Sequence, residues 1–197
     1  MSSRWDNKYR NATTPGEACA LLQANRHLLP ATGKSMDIAC GLGGNALLLA
    51  QAGLESYACD ASSVALEKLQ RFAGAEDLTV HCQRRDFEDG KPGSLSFNDG
   101  FDVIVVSFYL YRPLLPSLVK ALNPGGLLFY QTFSQAKRSP RGPSNPDFLL
   151  QPGELLTAFS GLELIDYHDE HWANADDQKR SEFVDPDIIY FTGRAVS

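Results

Sequence analysis

The sequence lacks any run of 18 consecutive apolar residues, and its first ten residues are mostly polar and charged. A membrane-spanning helix needs about 20 apolar residues, and a secretory leader needs a short apolar core. We therefore expect neither, and we predict a cytoplasmic protein. Positive charge is not in excess either, because 18 Lys and Arg against 24 Asp and Glu give a net charge of −6. This balance argues against a large phosphate-backbone footprint, and so against nucleic acid as a partner.

Cysteine and histidine are sparse, and their spacing is not that of metal ligands. The four cysteines contain no Cys-x-x-Cys pair, and His168 and His171, three residues apart in a predicted strand, point to opposite faces. We therefore expect no metal site. Buried free thiols are the expected state of the cysteines, with soft-metal or arsenic chemistry as the alternative. The cysteines are Cys19, Cys40, Cys59 and Cys82.

What the sequence does contain is a regular alternation of strands and helices. The 197 residues, 43% of them hydrophobic, suffice for one domain spanning residues 1–197. Five strands alternate with helices, and two late strands joined by a loop form an antiparallel pair. The run at 101–107 is almost uniformly apolar, which is typical of a central strand buried on both faces. The predicted strands are 35–40, 55–59, 78–83, 101–107, 127–133, 162–171 and 188–193.

This order predicts an α/β fold, a three-layer sandwich around a Rossmann-like, seven-stranded, mostly parallel sheet with an antiparallel C-terminal strand. Ligands of such sheets bind beyond the carboxyl ends of the strands. Residues 1–30 are predicted to form an N-terminal helical cover, with helix from Ser3 to Leu29. Trp5 and Tyr9 lie one helical turn apart and so share a face. We expect them either to close over a pocket or to pack onto the domain as a hydrophobic plug. The polar, proline-rich stretch 134–147 is a candidate lid loop.

The first predicted strand ends in a glycine-rich turn. Gly41 and Gly43 allow the backbone to approach a ligand closely, and the next helix offers free N–H groups at its start. The spacing Gly41-x-Gly43-x-x-Ala46 also fits a dinucleotide fingerprint. Asp37 favours another ligand, because its charge would repel a pyrophosphate but suits an ammonium, such as that of S-adenosylmethionine. The alternative role for Asp37 is to cap a neighbouring loop.

Acidic residues follow the second and third strands. Asp60 is placed to accept both hydroxyls of a ribose, a role that nicotinamide-dependent enzymes share. Asp86 is placed to accept the amino hydrogens of an adenine while Phe87 covers the ring. The alternative is a surface turn in which Asp86 pairs with Arg84 or Arg85.

The stretch after the fourth strand should face the reacting group and the acceptor. We expect Ser107 to line the reacting centre, and Tyr109, Tyr111 and Arg112 to shape an acceptor pocket. The sequence has neither paired carboxylates nor a Ser–His–Asp set, so nothing in it indicates covalent catalysis.

Together these residues resemble the class I S-adenosylmethionine-dependent methyltransferases. Asp37-x-Ala39-x-Gly41-x-Gly43 is similar to the first motif of that family, Asp60 to its next acid, and Asn123-Pro-Gly-Gly126 to its turn before strand five. The resemblance covers about residues 35–133. The start, Trp5-Asp-Asn-Lys-Tyr9-Arg10, is also similar to the cofactor-covering helix of the tellurite-resistance and thiopurine methyltransferase groups. The chain departs from the tellurite-resistance pattern after strand four, where that group tends to carry a histidine.

The resemblance implies in-line transfer of a methyl group from S-adenosylmethionine to a small-molecule acceptor, with S-adenosylhomocysteine as the product. The protein would mainly position the reactants and exclude water, as a monomer or homodimer with no membrane or nucleic-acid partner. A nicotinamide-dependent oxidoreductase and a non-catalytic S-adenosylmethionine-binding protein are the rival interpretations. The expected cofactor-binding residues are Trp5, Tyr9, Arg10, Asp37, Ala39, Cys40, Gly41, Gly43, Asn45, Asp60, Ala61, Asp86, Phe87 and Ser107.

Overall fold

The computed structural model describes residues 2–91, 93–97, 100–170 and 184–196. Within these residues one sheet contains the strands β1 (Lys34–Ile38), β2 (Glu55–Asp60), β3 (Val80–Arg84), β4 (Phe101–Ser107), β5 (Leu122–Phe133), β6 (Leu162–His168) and β7 (Ile188–Ala195). Their spatial order is β3-β2-β1-β4-β5-β7-β6. Pairing is parallel from β3 to β5, whereas β7 is antiparallel to β5 and β6. The predicted mostly parallel sheet with an antiparallel C-terminal strand is confirmed.

Helices cover both faces of the sheet, and strand β4 shows why its sequence is apolar. Val103 and Val105 pack into one buried cluster, and Ile104 and Val106 into another. Because successive side chains of a strand point to opposite faces, only a central strand between two helical layers needs this pattern. The helices are α1 (Ser2–Tyr9), α2 (Ala20–Ala24), α3 (Gly44–Gln51), α4 (Ser63–Ala75), α5 (Leu115–Lys120) and α6 (Glu154–Ala158). Within the described residues, no helix is long and apolar enough to cross a bilayer.

Two predicted elements differ from the structure. The helix expected from Ser3 to Leu29 is interrupted, since residues 10–19 are not helical; Pro15 supplies no N–H donor and Gly16 favours irregular backbone. Strand β5 begins five residues earlier than 127, and Asn123-Pro-Gly-Gly126 lies inside it as an irregularity where the pairing register with β4 shifts. The stretch 173–181, where nothing helical is expected, lies outside the described residues.

Candidate active site

The carboxyl ends of the parallel strands surround a cavity of about 280 Å³, at the sheet edge where the fold predicts a ligand site. The structure brings together eleven predicted site residues in its wall: Trp5, Tyr9, Ala39, Cys40, Gly41, Asp60, Ala61, Asp86, Phe87, Ser107 and Tyr109. Six further lining residues received no site role from the sequence: Lys8, Gly16, Leu42, Arg85, Glu88 and Phe108.

The glycine-rich turn between β1 and α3 lines the cavity at the end of β1. Ala39, Gly41 and Gly43 have φ values of 53°, 53° and 79°, so the chain reverses sharply. At Gly41 a Cβ atom would lie 2.7 Å from the Tyr9 hydroxyl, so glycine leaves room for the Tyr9 side chain, which lines the cavity. At Gly44, which does not line the cavity, a Cβ atom would lie 2.4 Å from backbone atoms of the segment before α2. Gly44 therefore serves packing, whereas Gly41 serves the cavity.

Asp60 joins the end of β2 to the glycine-rich turn. Its Oδ2 accepts the Gly41 N–H and its Oδ1 accepts the Ser62 N–H, both at 2.8 Å. A carboxylate has about four acceptor positions, so two remain for hydroxyl donors of a ligand. Burial raises the pKa of Asp60, while the hydrogen bonds from Ser62 and Gly41 oppose that shift.

Asp37 does not line the cavity, and its contacts are those of a cap. Oδ2 accepts the backbone N–H of Ala46 at 3.1 Å, and Oδ1 accepts from the Asn45 side chain at 3.2 Å. The side chain is completely buried, and this burial raises its pKa to about 7. Asp37 therefore holds the start of α3, which is the alternative role; the expectation that it faces a ligand ammonium is not supported.

Asn45 also lies beneath the cavity rather than in its wall. Its Nδ2 donates to Asp37 and to Ser107 Oγ at 3.1 Å, and its Oδ1 accepts the Cys19 N–H at 2.8 Å. One buried amide therefore joins β1, the end of β4 and the chain before α2.

The turn after β3 contributes an acid and an aromatic ring. Asp86 lines the cavity, and its Oδ1 accepts the Glu88 N–H at 3.0 Å. The pairing of Asp86 with a neighbouring arginine is not found, since Arg84 and Arg85 donate to backbone carbonyls of nearby turns. The Arg85 guanidinium lies 5.0 Å from the centre of the Phe87 ring, which fixes that ring against the turn.

The end of β4 places three side chains in the wall. The Tyr109 hydroxyl donates to Glu88 at 3.2 Å, and burial followed by the charge of Glu88 raises the pKa of Tyr109. Tyr109 therefore stays protonated and can act only as a neutral group. Ser107 is held by Asn45, and Phe108 follows it with φ of 55°.

Helix α1 covers one side of the cavity. Trp5 and Tyr9 stack with ring centres 6.4 Å apart, and Lys8 Nζ lies 4.8 Å from the Trp5 ring centre. All three line the cavity. Asp6 on the same helix accepts the Ser62 hydroxyl at 2.7 Å, at the N-cap of α4. The aromatic pair therefore lies against the cavity, and its covering role stays a prediction.

The site geometry agrees with the comparison with known families. The chain matches the model of a methyltransferase domain over residues 36–126, from β1 into β5. This stretch contains the glycine-rich turn and the ends of strands β1 to β4. This family model covers 91 of the 197 residues, so residues 36–126 are similar to a methyltransferase domain.

The relatives that resemble this chain are named for methyl transfer to different kinds of atom. The ubiquinone biosynthesis O-methyltransferase of Haemophilus ducreyi is 27% identical over 174 residues, covering 73% of this chain and 74% of that protein. The cypemycin N-terminal methyltransferase of a Streptomyces species is 33% identical over 103 residues, covering 48% of this chain and 39% of that protein. The crystal structure of TehB from Haemophilus influenzae shares the fold, with a TM-score of 0.67 at 19% identity, covering 98% of this chain and 66% of that one.

Besides Asp37, Gly43 and Asn45, three further predicted site residues lie outside the cavity wall: Arg10, Tyr111 and Arg112. Arg112 forms a bidentate ion pair with Glu154, at 2.7 and 3.0 Å, and donates to two backbone carbonyls. Tyr111 packs against the main buried cluster, and Arg10 donates to Asn7 at the end of α1. The placement of Tyr111 and Arg112 in an acceptor pocket is therefore not supported.

The predicted lid loop, 134–147, contributes no residue to the cavity wall. Asp187, just before β7, accepts the Arg138 N–H at 2.7 Å and the Ser139 hydroxyl, which ties the loop to that strand. Its link to the site is indirect: Gly142 lies against the Phe133 ring, and Phe133 packs on Phe108.

The four cysteines are free, and only Cys40 lines the cavity. Burial raises the pKa of Cys40, so its thiol is a poor nucleophile at neutral pH. In the part of the chain that the structure describes, no group of three His, Cys, Asp or Glu side chains is placed to hold a metal ion.

Proposed function

We propose that the protein transfers the methyl group of S-adenosylmethionine to a small-molecule acceptor at this cavity. The observation that carries the proposal is the set of carboxylates in the wall: Asp60, Asp86 and Glu88. The ribose hydroxyls, adenine amino group and ammonium of this cofactor are hydrogen-bond donors, and carboxylates are acceptors. Gly41 lines the cavity and has no side chain, so its backbone can approach such a ligand closely.

Residues at different strand ends bind different parts of the ligand. Asp60 holds the ribose, since two acceptor positions of its carboxylate remain after the bonds to Gly41 and Ser62. Asp86 and Phe87 hold the adenine. Helix α1 covers the ligand, which excludes water from the reacting end beside Ser107.

The protein contributes position rather than covalent chemistry. When bound, S-adenosylmethionine supplies a methyl group whose bond to sulfur breaks as the bond to the acceptor forms; the electron pair stays on sulfur, and the acceptor's proton passes to solvent. Holding two reactants in line is worth about 7–11 kcal/mol of the barrier. Tyr109, kept neutral by burial and Glu88, lies beside Ser107 as a neutral polar wall.

The small size of the acceptor is part of the proposal. A cavity of about 280 Å³ lies just below the roughly 300–1,000 Å³ typical of ligand pockets, so little enclosed space remains beside a bound cofactor. The names of the relatives include an oxygen and an amino-terminal acceptor, so they leave the methylated atom open. The monomer or homodimer state and the cytoplasmic location stay predictions from the sequence.

Asp37 does not line the cavity, so its charge does not distinguish a dinucleotide from S-adenosylmethionine as the ligand. The repulsion of a pyrophosphate now rests on Asp60, Asp86 and Glu88, which do face it. Lys8 and Arg85 also line the cavity, so the wall has three acidic and two basic side chains. This excess of one acid favours a ligand with a positive sulfonium over one with two phosphates.

Isothermal titration calorimetry with S-adenosylhomocysteine and, in parallel, NAD⁺ separates these functions. We expect binding of S-adenosylhomocysteine and none of NAD⁺; the reverse result would refute the proposal. Transfer from methyl-labelled S-adenosylmethionine to a panel of phenols, thiols and amines then tests catalysis. Tight binding with no transfer to any member of the panel would favour the non-catalytic interpretation.

A further inference from the structure

We infer that Phe108 is a stacking platform for the acceptor, and that the acceptor is a planar aromatic molecule bearing a hydroxyl, thiol or amine. This inference rests on the proposed function. Phe108 lines the cavity directly after β4, yet 56% of its surface is exposed. Contact of a large apolar side chain with water is unfavourable, and a ligand that covers the side chain removes this unfavourable contact.

The backbone of Phe108 is strained in a way that fixes the ring at this place. Its φ of 55° lies in the left-handed region, which is unfavourable for a residue with a Cβ and which glycine would adopt freely. The neighbouring contacts hold this conformation: the Phe108 N–H donates to the Gln131 carbonyl at 2.9 Å, and the Tyr130 hydroxyl donates to the Tyr109 carbonyl at 2.8 Å. Strain that is held by several contacts is typical of functional sites.

One neighbour of the ring is already in place. Phe133 lies with its ring centre 5.4 Å from that of Phe108, at an interplanar angle of 41°. Gly142 presses against the Phe133 ring, so a side chain there would displace it. Phe108 belongs to none of the buried clusters, and its exposed surface therefore has no packing role within the described residues.

The size of the cavity directs the acceptor to this ring. At about 280 Å³ the cavity is smaller than the roughly 300–1,000 Å³ typical of ligand pockets, so a bound cofactor leaves little enclosed space for an acceptor. The acceptor must then meet the reacting end from the mouth, where Phe108 and the 37% exposed Trp5 are the large apolar side chains. Aromatic rings prefer offset or edge-to-face partners, so a planar aromatic molecule gains more here than a saturated one of equal size.

The test compares two probes with one carbon skeleton, 2-naphthol and decahydro-2-naphthol. Their affinities for the S-adenosylhomocysteine-saturated protein are measured by calorimetry in wild type, Phe108→Leu and Phe108→Tyr. We expect wild type and Phe108→Tyr to prefer 2-naphthol by roughly two- to twelvefold, and Phe108→Leu to lose this preference. Leucine keeps the Cβ and the backbone strain, so the ring is the main change.

Each outcome decides the inference. Equal affinity for the two probes in wild type, an undiminished preference in Phe108→Leu, or no measurable binding of 2-naphthol would overturn it. The affinity for S-adenosylhomocysteine is measured first in every variant, so that each probe is titrated into fully saturated protein. Failure of that first titration in wild type would instead remove the proposed function, and the inference with it.

Discussion

Replacing Asp60 with asparagine should weaken S-adenosylhomocysteine binding roughly ten- to hundredfold. The carboxylate accepts two backbone N–H groups at 2.8 Å and keeps two acceptor positions for the ligand. An amide has one acceptor oxygen and no charge, so the variant loses charge-assisted bonds worth about 1.5–3 kcal/mol, and 1.4 kcal/mol corresponds to a factor of ten. Calorimetric titration measures the dissociation constant directly.

Because Asp60 also holds the glycine-rich turn, the experiment needs a structural control. Asp102 is suitable: it accepts the Lys34 N–H at 2.7 Å and the Asn123 side chain at 2.9 Å, near the start of β4 and away from the cavity. Asp102→Asn should lower the melting temperature but leave the dissociation constant unchanged. Equal losses of affinity in both variants would mean that destabilisation, and not ribose recognition, explains the effect.

The pH dependence of binding gives a second readout that a structural role would not move. Only the ionised carboxylate offers the ligand its full set of acceptors, so wild-type affinity should fall as pH falls through the pKa of Asp60. Burial raises that pKa, so the fall should begin above the ordinary value of about 3.9 for aspartate. Asp60→Asn should lack this phase of the profile. An identical profile in the two proteins would refute the assignment of Asp60 to the ligand.

Three further substitutions test parts of the structure around the site. Arg112→Met leaves the Glu154 carboxylate, which is only 18% exposed, without its ion pair. In urea melts the variant should lose about 1.5–3 kcal/mol of its free energy of unfolding, and its cofactor affinity should not change. A loss of affinity would show that Arg112 contributes to the site. Hydrogen bonds from Ser139 and Arg138 lower the pKa of Asp187 to about 2, so its stabilisation is complete above the unfolded value near 3.9 and is lost as pH falls toward 2. Wild type and Asp187→Asn should therefore converge in stability in acid, and a constant difference in urea melts between pH 7 and 3 would contradict this. Asp6→Asn weakens the bond to Ser62 that docks helix α1, so residues 4–9 should exchange amide hydrogens faster while residues 134–147 do not change; equal exchange in α1 would argue against the docking role.

The strand order and the cavity's position could be read from the sequence because both depend on local patterns. The apolar run of β4 reflects two helical layers, and the residues at the strand ends follow from the rule that parallel strands share one carboxyl edge. Asp60, Asp86 and Ser107 reach the cavity wall for this reason. Their binding roles stay predictions until a ligand is measured.

Other features depend on contacts between distant parts of the chain, which no local pattern encodes. The capping role of Asp37 depends on Asn45 and Ala46 folding back over the strand. Arg112 lies outside the cavity wall because it pairs with Glu154, which is 42 residues away in the sequence. Phe108 carried no signal at all, because a positive φ in a phenylalanine is imposed by neighbours on β5 and not by its own residue type.

The buried amide of Asn45 sets a rule for moving this site into another protein. Its nitrogen must find Asp37 on β1 and Ser107 on β4, and its oxygen must find the N–H of Cys19, so its polarity is fixed in one direction. Exchanging Asn45 for a hydrophobic residue would strand three buried polar partners, and an aspartate would put a second charge beside Asp37. A glycine-rich turn that is transferred alone would therefore lack the hydrogen bonds that hold it in place. The turn keeps its rigidity only when positions 37, 45 and 107 are transferred as one set, together with a segment that supplies the N–H of Cys19.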